Sequence, residues 1–115
     1  MRKITEKAVI ALMNNKTFKS GNTKVNRLEG TNSTRGLTLH DNLIACMDDN
    51  RIFISNAGYK TRVTKERLNG VLLYLGLDLI KQREGVWYWQ KKVFPTGGWV
   101  GLIEDADKDA DKGNK

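Results

Sequence analysis

The apolar residues of this chain come in short runs separated by turn-forming residues, and this pattern restricts the fold more than any other feature. Such runs, rich in β-branched and aromatic residues and bounded by Gly, Asn, Asp or Ser, are typical of strands. They occupy residues 24–28, 37–39, 43–47, 51–55, 77–81, 86–90 and 99–103. None approaches the roughly 18 apolar residues of a membrane-spanning helix. The pattern therefore predicts a sheet of short strands and no membrane partner.

Two segments depart from the strand pattern and predict helices. The apolar positions of the clearer one follow the spacing i, i+3, i+4 and i+7: Leu68, Val71, Leu72 and Leu75. Thr64 is its candidate N-cap and Gly76 its candidate C′ residue, which places the helix at about 64–75. A second helix is predicted at about 5–14, with Thr5 as the residue that caps its first turn.

These elements together predict the α+β class. Turn residues at 47–50 and at Glu84-Gly85 indicate hairpins, so the sheet should be mostly antiparallel. A chain of 115 residues has the size of one domain. We therefore expect a single compact domain over residues 1–103, with a twisted sheet of about five to seven short strands and two helices on one face.

Charge is distributed unevenly along the chain. Residues 104–115 hold five acids, three lysines and no large apolar residue, which predicts a disordered tail. Residues 1–103 hold 17 basic and 8 acidic residues, a net charge of +9 against +7 for the whole chain. A domain of that charge favours polyanionic partners. Two roles are open for the tail: it aids solubility, or it competes with nucleic acid for a basic surface.

Cations cluster around the start of the second helix. The candidate ligand-binding residues there are Tyr59, Lys60, Thr61, Arg62, Thr64, Lys65 and Arg67. A helix N-terminus already carries partial positive charge, so cations there cost stability unless an anion offsets them. A phosphate held by backbone N–H groups, hydroxyls and cations would do so, with the tyrosine stacked on a base. In the alternative interpretation Thr64 caps the helix, Glu66 satisfies the dipole, Arg67 pairs locally and the other cations point to water.

A second candidate region combines aromatic and basic residues in a predicted hairpin. Trp87 and Trp89 share one face of the strand, and Tyr88 lies on the other. If the Tyr88 face is buried, both indoles stand exposed beside Lys91 and Lys92. Such a surface is typical of single-stranded nucleic-acid binding and also of protein-binding hot spots. The alternative, in which the two indoles fill the core, stays open.

No catalytic, metal or cofactor site is predicted, and the chain is expected not to be an enzyme. His40 and Asp41 are adjacent, so on a strand they would point to opposite faces, and His40 is better interpreted as a surface turn residue. Cys46 lies in an apolar run, which makes it a poor nucleophile. One Cys excludes an intramolecular disulfide, and with one His it does not make a zinc site.

A resemblance to known proteins is carried by four segments: LHDNLIA at 39–45, IFISNAGY at 52–59, TKERLN at 64–69 and GVWY at 85–88. Over about residues 37–103 the chain resembles a group of small, functionally uncharacterised proteins of tailed bacteriophages. The resemblance implies a phage or prophage origin, and with it a location in the cytoplasm of the bacterial host. It supplies no catalytic residue.

These observations favour a non-enzymatic phage accessory protein that binds a phosphate-bearing ligand, either nucleic acid or a nucleotide. Binding would use the basic loop and helix start together with the aromatic hairpin. Two other functions stay open. One is inhibition of a host protein, such as a defence complex (anti-CRISPR or anti-restriction) or a nucleic-acid-processing complex. The other is a small hydrolase or nuclease.

Overall fold

The computed structural model describes residues 1–28, 34–48 and 51–102. In chain order these residues form α1 Lys3–Met13, β1 Phe18–Ser20, β2 Thr23–Arg27, β3 Arg35–Leu39, β4 Asn42–Met47, β5 Ile52–Ile54, α2 Arg62–Tyr74, β6 Lys81–Arg83, β7 Val86–Trp89, β8 Lys92–Val93 and β9 Val100–Gly101. The predicted tail at 104–115 and part of the predicted turn at 47–50 lie outside the described residues.

The strands form two antiparallel sheets. One has six strands in the order β1-β2-β3-β4-β5-β9, and the other has three in the order β6-β7-β8. The predicted α+β class with a mostly antiparallel sheet is confirmed, since every pair of neighbouring strands is antiparallel. The sheet edges are short: β1 and β6 have three residues, and β8 and β9 have two.

Four hairpins close through loops of two residues. In three of these loops, His40-Asp41, Glu84-Gly85 and Gln90-Lys91, both residues have positive φ. Positive φ at both loop residues is the type I′ geometry, whose twist matches that of the flanking strands. The predicted hairpin at Glu84-Gly85 and the predicted turn position of His40 are confirmed.

The helix α1 begins two residues earlier than predicted. Arg2 is its N-cap and makes no side-chain cap hydrogen bond. The expected cap, Thr5, is instead fully buried and bonds to α2. The apolar side of α1 packs against β1, β2 and β3, while Thr5 also lies where a side chain on Gly70 would fall. The glycine therefore permits the close approach of the two helices.

The helix α2 also begins two residues before the predicted start, because Thr61 and not Thr64 is its N-cap. The Thr61 hydroxyl accepts a hydrogen bond from the Thr64 backbone N–H at 3.1 Å. At the other end Gly76 follows the C-cap with φ +74°, which confirms it as the C′ residue. The predicted apolar face of Leu68, Val71 and Leu72 is buried in the core.

The predicted strand at 77–81 is wrong over most of its length. The Asn69 side chain on α2 occupies both backbone groups of Ile80: its Oδ1 accepts from the Ile80 N–H at 2.7 Å, and its Nδ2 donates to the Ile80 carbonyl at 3.2 Å. A side-chain amide thus takes the place of a neighbouring strand. Strand pairing starts only at Lys81, as β6.

Candidate functional site

The side of α2 that faces α1 and β2, which we call its inner side, holds a buried arginine that helps to stabilise the fold. Arg67 is 4% exposed, and its guanidinium donates to the hydroxyls of Thr23 at 3.1 Å and Thr5 at 2.7 Å. It also pairs with the Glu66 carboxylate at 2.5 Å. This network ties α2 to α1 and β2. The structure thus places Arg67, a predicted ligand-binding residue, inside the fold, where it pairs locally as in the alternative interpretation.

Glu66 is held in its charged form by the same network. Burial raises the pKa of its carboxyl, but hydrogen bonds from Thr5, the Arg2 backbone N–H and Arg67, with the charge of Arg67, outweigh burial. The net pKa is therefore lowered from the ordinary glutamate value. Arg67 is buried and Glu66 is partly exposed, so loss of Glu66 would leave the buried guanidinium without its counter-charge.

The hydroxyls at the start of α2 are also occupied within the helix. Thr64 is buried, and its hydroxyl lies 2.9 Å from that of Thr61. The Thr61 oxygen accepts the cap hydrogen bond. The predicted convergence of both hydroxyls on a phosphate is not the geometry seen, because their polar atoms bond to each other and to the backbone.

The loop before α2 is positioned by one buried side chain. The Asn56 Oδ1 accepts from the backbone N–H groups of Gly58 and Gly97, each at 2.8 Å, and its Nδ2 donates to the Pro95 carbonyl at 3.3 Å. Gly58 has φ +87°, a conformation that glycine adopts readily. The loop is thereby fixed, and Tyr59 follows it with 54% of its surface exposed.

The outer side of α2 lies against the hairpin of β6 and β7. The Lys60 ammonium donates to the Gly85 carbonyl at 3.3 Å, and the Lys65 ammonium donates to the Gln82 side chain at 2.7 Å. The two regions that the sequence marked as candidate sites are therefore neighbours in space. The first turn of α2 carries Arg62 and Lys65 and no acid.

The two indoles of the hairpin face the core, which is the alternative that the sequence left open, and the exposed tryptophan surface is not formed. Trp87 is 1% exposed and packs against Phe94, with ring centroids 6.0 Å apart. Trp89 packs against the core, and its Nε1 donates to the Asp78 carbonyl at 2.8 Å. Two indoles remove more apolar area from water than Val86 and Tyr88 would, which decides the orientation of the strand.

The outer face of the three-stranded sheet therefore carries Tyr88 and not the indoles. Residues opposite each other across antiparallel strands share a face, which places Lys81, Tyr88 and Val93 together, and Arg83 beside Val86. This face borders an open concavity of about 910 Å³. It is lined by Leu77, Asp78, Leu79, Lys81, Gln82, Arg83, Tyr88, Gln90 and Lys91.

A smaller recess of about 360 Å³ adjoins this concavity, and the two meet at Leu79. Arg62 and Lys65 line the smaller recess. We call the cations around the two recesses and the neighbouring hairpin turn the basic face: Lys60, Arg62, Lys65, Lys81, Arg83 and Lys91. Within the described ranges, none of them is in an ion pair with a carboxylate.

Lys92 does not belong to the basic face. It lies opposite Trp89 across the β7–β8 pair and borders a different recess with Phe94 and Pro95. Lys91 and Lys92, which the sequence placed on one surface, are thus separated because adjacent residues at the start of a strand point to different sides.

The other candidate groups lie apart from the basic face. His40 is exposed in its turn, and Asp41 pairs with Lys24 at 3.2 Å. Burial, and secondly the Asp48 carboxylate, raise the pKa of the Cys46 thiol. In the part of the chain that the structure describes, no three His, Cys, Asp or Glu residues are grouped to hold a metal ion. No helix there is long and apolar enough to cross a membrane.

The sequence was compared with known protein families, curated proteins and solved structures. A family of phage proteins described as Kyanoviridae Gp96 protein matches residues 1–104. The chain belongs to this family. The predicted bacteriophage origin is thereby confirmed, and the match extends beyond the 37–103 segment that carries the resemblance. No curated protein and no solved structure matches the chain.

In this member of the Kyanoviridae Gp96 family, sequence reasoning missed Lys81 and Arg83 as candidate site residues and left open which face of its strand Tyr88 occupies. A signal for the two cations was available: they alternate around Gln82, with the period of two that defines one face of a strand. It was hidden because the predicted strand ended at residue 81 instead of beginning there.

Proposed function

We propose that the protein is a non-enzymatic phage accessory protein that binds nucleic acid through the basic face. The observation that carries the proposal is the gathering of six cations from the start of α2 and from the three-stranded sheet. Like charges placed together repel one another and cost free energy. A phosphate backbone offsets that cost and releases its counterions on binding.

The arrangement favours a polymer over a single nucleotide. The cations are spread along a helix and a sheet and do not converge on one point, and the Thr61 and Thr64 hydroxyls are already used in the helix cap. Several phosphates, each meeting one or two cations, suit such a surface better than one phosphate group held from all sides.

The test is binding of a labelled oligonucleotide, followed by fluorescence anisotropy at several salt concentrations. Affinity should fall steeply with salt, and Lys81→Gln with Arg83→Gln should weaken binding and reduce the log–log salt slope by roughly 2, about one per lost phosphate contact. The matched control is Lys7→Gln with Lys19→Gln, which removes the same charge from exposed positions on α1 and β1. Equal losses in both pairs, or binding without salt dependence, would refute the proposal.

A second candidate function, binding of a host protein, is favoured by the smaller recess. Met1, Leu73 and Leu79 expose apolar surface there, while Arg62 and Lys65 border it. Its occupant would be a segment that combines carboxylates with apolar side chains. A host protein recovered after nuclease treatment, then purified and titrated, should lose affinity for Leu73→Asp and keep it for Lys81→Gln with Arg83→Gln. The reverse ranking would count against this function.

A further inference from the structure

The centre of the outer sheet face is aromatic, which sets it apart from the rest of the basic face. Tyr88 lies on β7, the middle strand of the three, and is partly exposed at the concavity. Trp87 and Trp89, its neighbours on the strand, point toward the core. Among the described residues the Tyr88 hydroxyl has no hydrogen-bond partner, so neither its ring nor its polar group is committed to the core.

The neighbours of Tyr88 are one cation and one apolar residue. Lys81 lies directly opposite on β6, and Val93 lies opposite on β8 with 63% of its surface exposed. Side chains opposite each other across antiparallel strands have Cβ atoms about 4.5–5.5 Å apart. A flat group placed on the ring would therefore touch valine methyls on one side and an ammonium on the other.

Two further cations extend the charge on either side of the ring. Arg83 follows Lys81 by two residues on the same face of β6, about 7 Å along the strand. Lys91, in the turn between β7 and β8, lines the same concavity. Asp78 is the one carboxylate among the residues that line the concavity, so the lining keeps a net positive charge.

We propose that this concavity binds single-stranded nucleic acid, with one base stacked on Tyr88 and the adjoining phosphates on Lys81, Arg83 and Lys91. The inference rests on the proposed function and names its ligand. A sheet whose central strand presents an aromatic ring, flanked by cations, stacks unpaired bases. The bases of a duplex are stacked on each other, so they offer no free face to the ring.

The experiment compares one short oligonucleotide as a single strand and as its duplex at fixed ionic strength. The wild-type protein should prefer the single strand. Tyr88→Ala should lower single-strand affinity roughly tenfold or more, the effect expected for loss of one stacked base, and leave duplex affinity unchanged. Tyr88→Phe, which keeps the ring, should bind as the wild type does. Tyr74→Ala is the matched control, since Tyr74 is 52% exposed elsewhere on α2.

The outcomes separate this inference from the proposed function. Equal affinity for single strand and duplex, or an equal loss with Tyr88→Phe, overturns stacking while nucleic-acid binding stands. No salt-dependent binding of either form overturns the proposed function. Should Tyr88→Ala fail to fold, photocrosslinking of the wild-type protein to a single strand containing 5-iodouracil decides. A crosslink at Tyr88 supports the inference, and crosslinks confined to other residues refute it.

Discussion

The two sides of α2 put the same kind of side chain to opposite uses. On the inner side the Arg67 guanidinium is buried and bonded to Thr5, Thr23 and Glu66. On the outer side Arg62, five residues earlier, is exposed and has no carboxylate partner among the described residues. The net charge of a chain is therefore not a measure of its capacity to bind a polyanion. Only cations that the fold has left unpaired are available to a polyanion.

The largest loss of stability should come from removing the Arg67 guanidinium on the inner side of α2. Arg67→Met leaves the Glu66 carboxylate without its cation. Because the Glu66 side chain is 24% exposed, the loss should be about 2–3 kcal/mol, below that of a fully buried pair. Urea unfolding followed by tryptophan fluorescence measures the loss. Adding Glu66→Gln to Arg67→Met should recover part of it. A loss below about 1 kcal/mol would show that the pair is not structural, and the contrast between the two sides would fail.

The pH dependence of the unfolding free energy tests the Glu66–Arg67 pair on the inner side in a second way. Because the folded-state pKa of Glu66 is lowered, its charged form stabilises the fold at pH values above the ordinary glutamate pKa. This contribution should be lost as the pH falls through the lowered pKa, where the carboxyl takes up a proton in the folded protein as well. Unfolding free energies measured across the acidic range should depend less on pH in Glu66→Gln than in the wild type. An unchanged pH dependence would contradict the pKa direction.

The cap of α2 should give a smaller effect. Thr61→Ala removes the acceptor for the Thr64 backbone N–H and should cost about 1 kcal/mol of stability. Because this hydroxyl serves the helix, nucleic-acid affinity of the folded variant should stay unchanged. Thr96→Ala, at an exposed position, is the control. A weakened affinity in Thr61→Ala without loss of stability would return Thr61 to the ligand-binding set.

The smallest effect on stability belongs to the outer side. Arg62→Gln with Lys65→Gln should change the unfolding free energy by no more than about 0.5 kcal/mol, since these cations make no ion pair in the described part of the chain. The same pair should weaken oligonucleotide binding. Thermal unfolding and anisotropy on one preparation test both statements. A marked destabilisation would mean that the outer cations also hold the fold together.

Local sequence signals predicted most of the fold. The spacing of Leu68, Val71 and Leu72 located α2, and Glu84-Gly85 located the hairpin turn between β6 and β7. What the sequence could not settle depended on distant contacts. The strand face of Trp87 is set by the core it meets, including Phe94, and the late start of β6 is set by Asn69 on another element.

The candidate site was predictable only in part for the same reason. The sequence located the basic start of α2, but a cluster of cations in a sequence does not say which of them the fold will bury. Arg67 is separated from Lys65 by one residue, and helical geometry turns them to different sides. The exposure of Tyr88 on the outer face follows only from the core-facing orientation of the two indoles, which depends on distant contacts. Pairing of charges is a tertiary property, and it decides which cations remain available.

The short edges of the two sheets have a consequence for the protein at high concentration. An edge strand offers unpaired backbone groups to any other chain, and proteins prevent such pairing with short edges and with lysines. Here β1 carries Lys19, β6 carries Lys81 and Arg83, and β8 carries Lys92, while β9 spans only two residues. These cations therefore also hinder the pairing of edge strands between two copies of the chain. This protection against aggregation does not depend on any ligand.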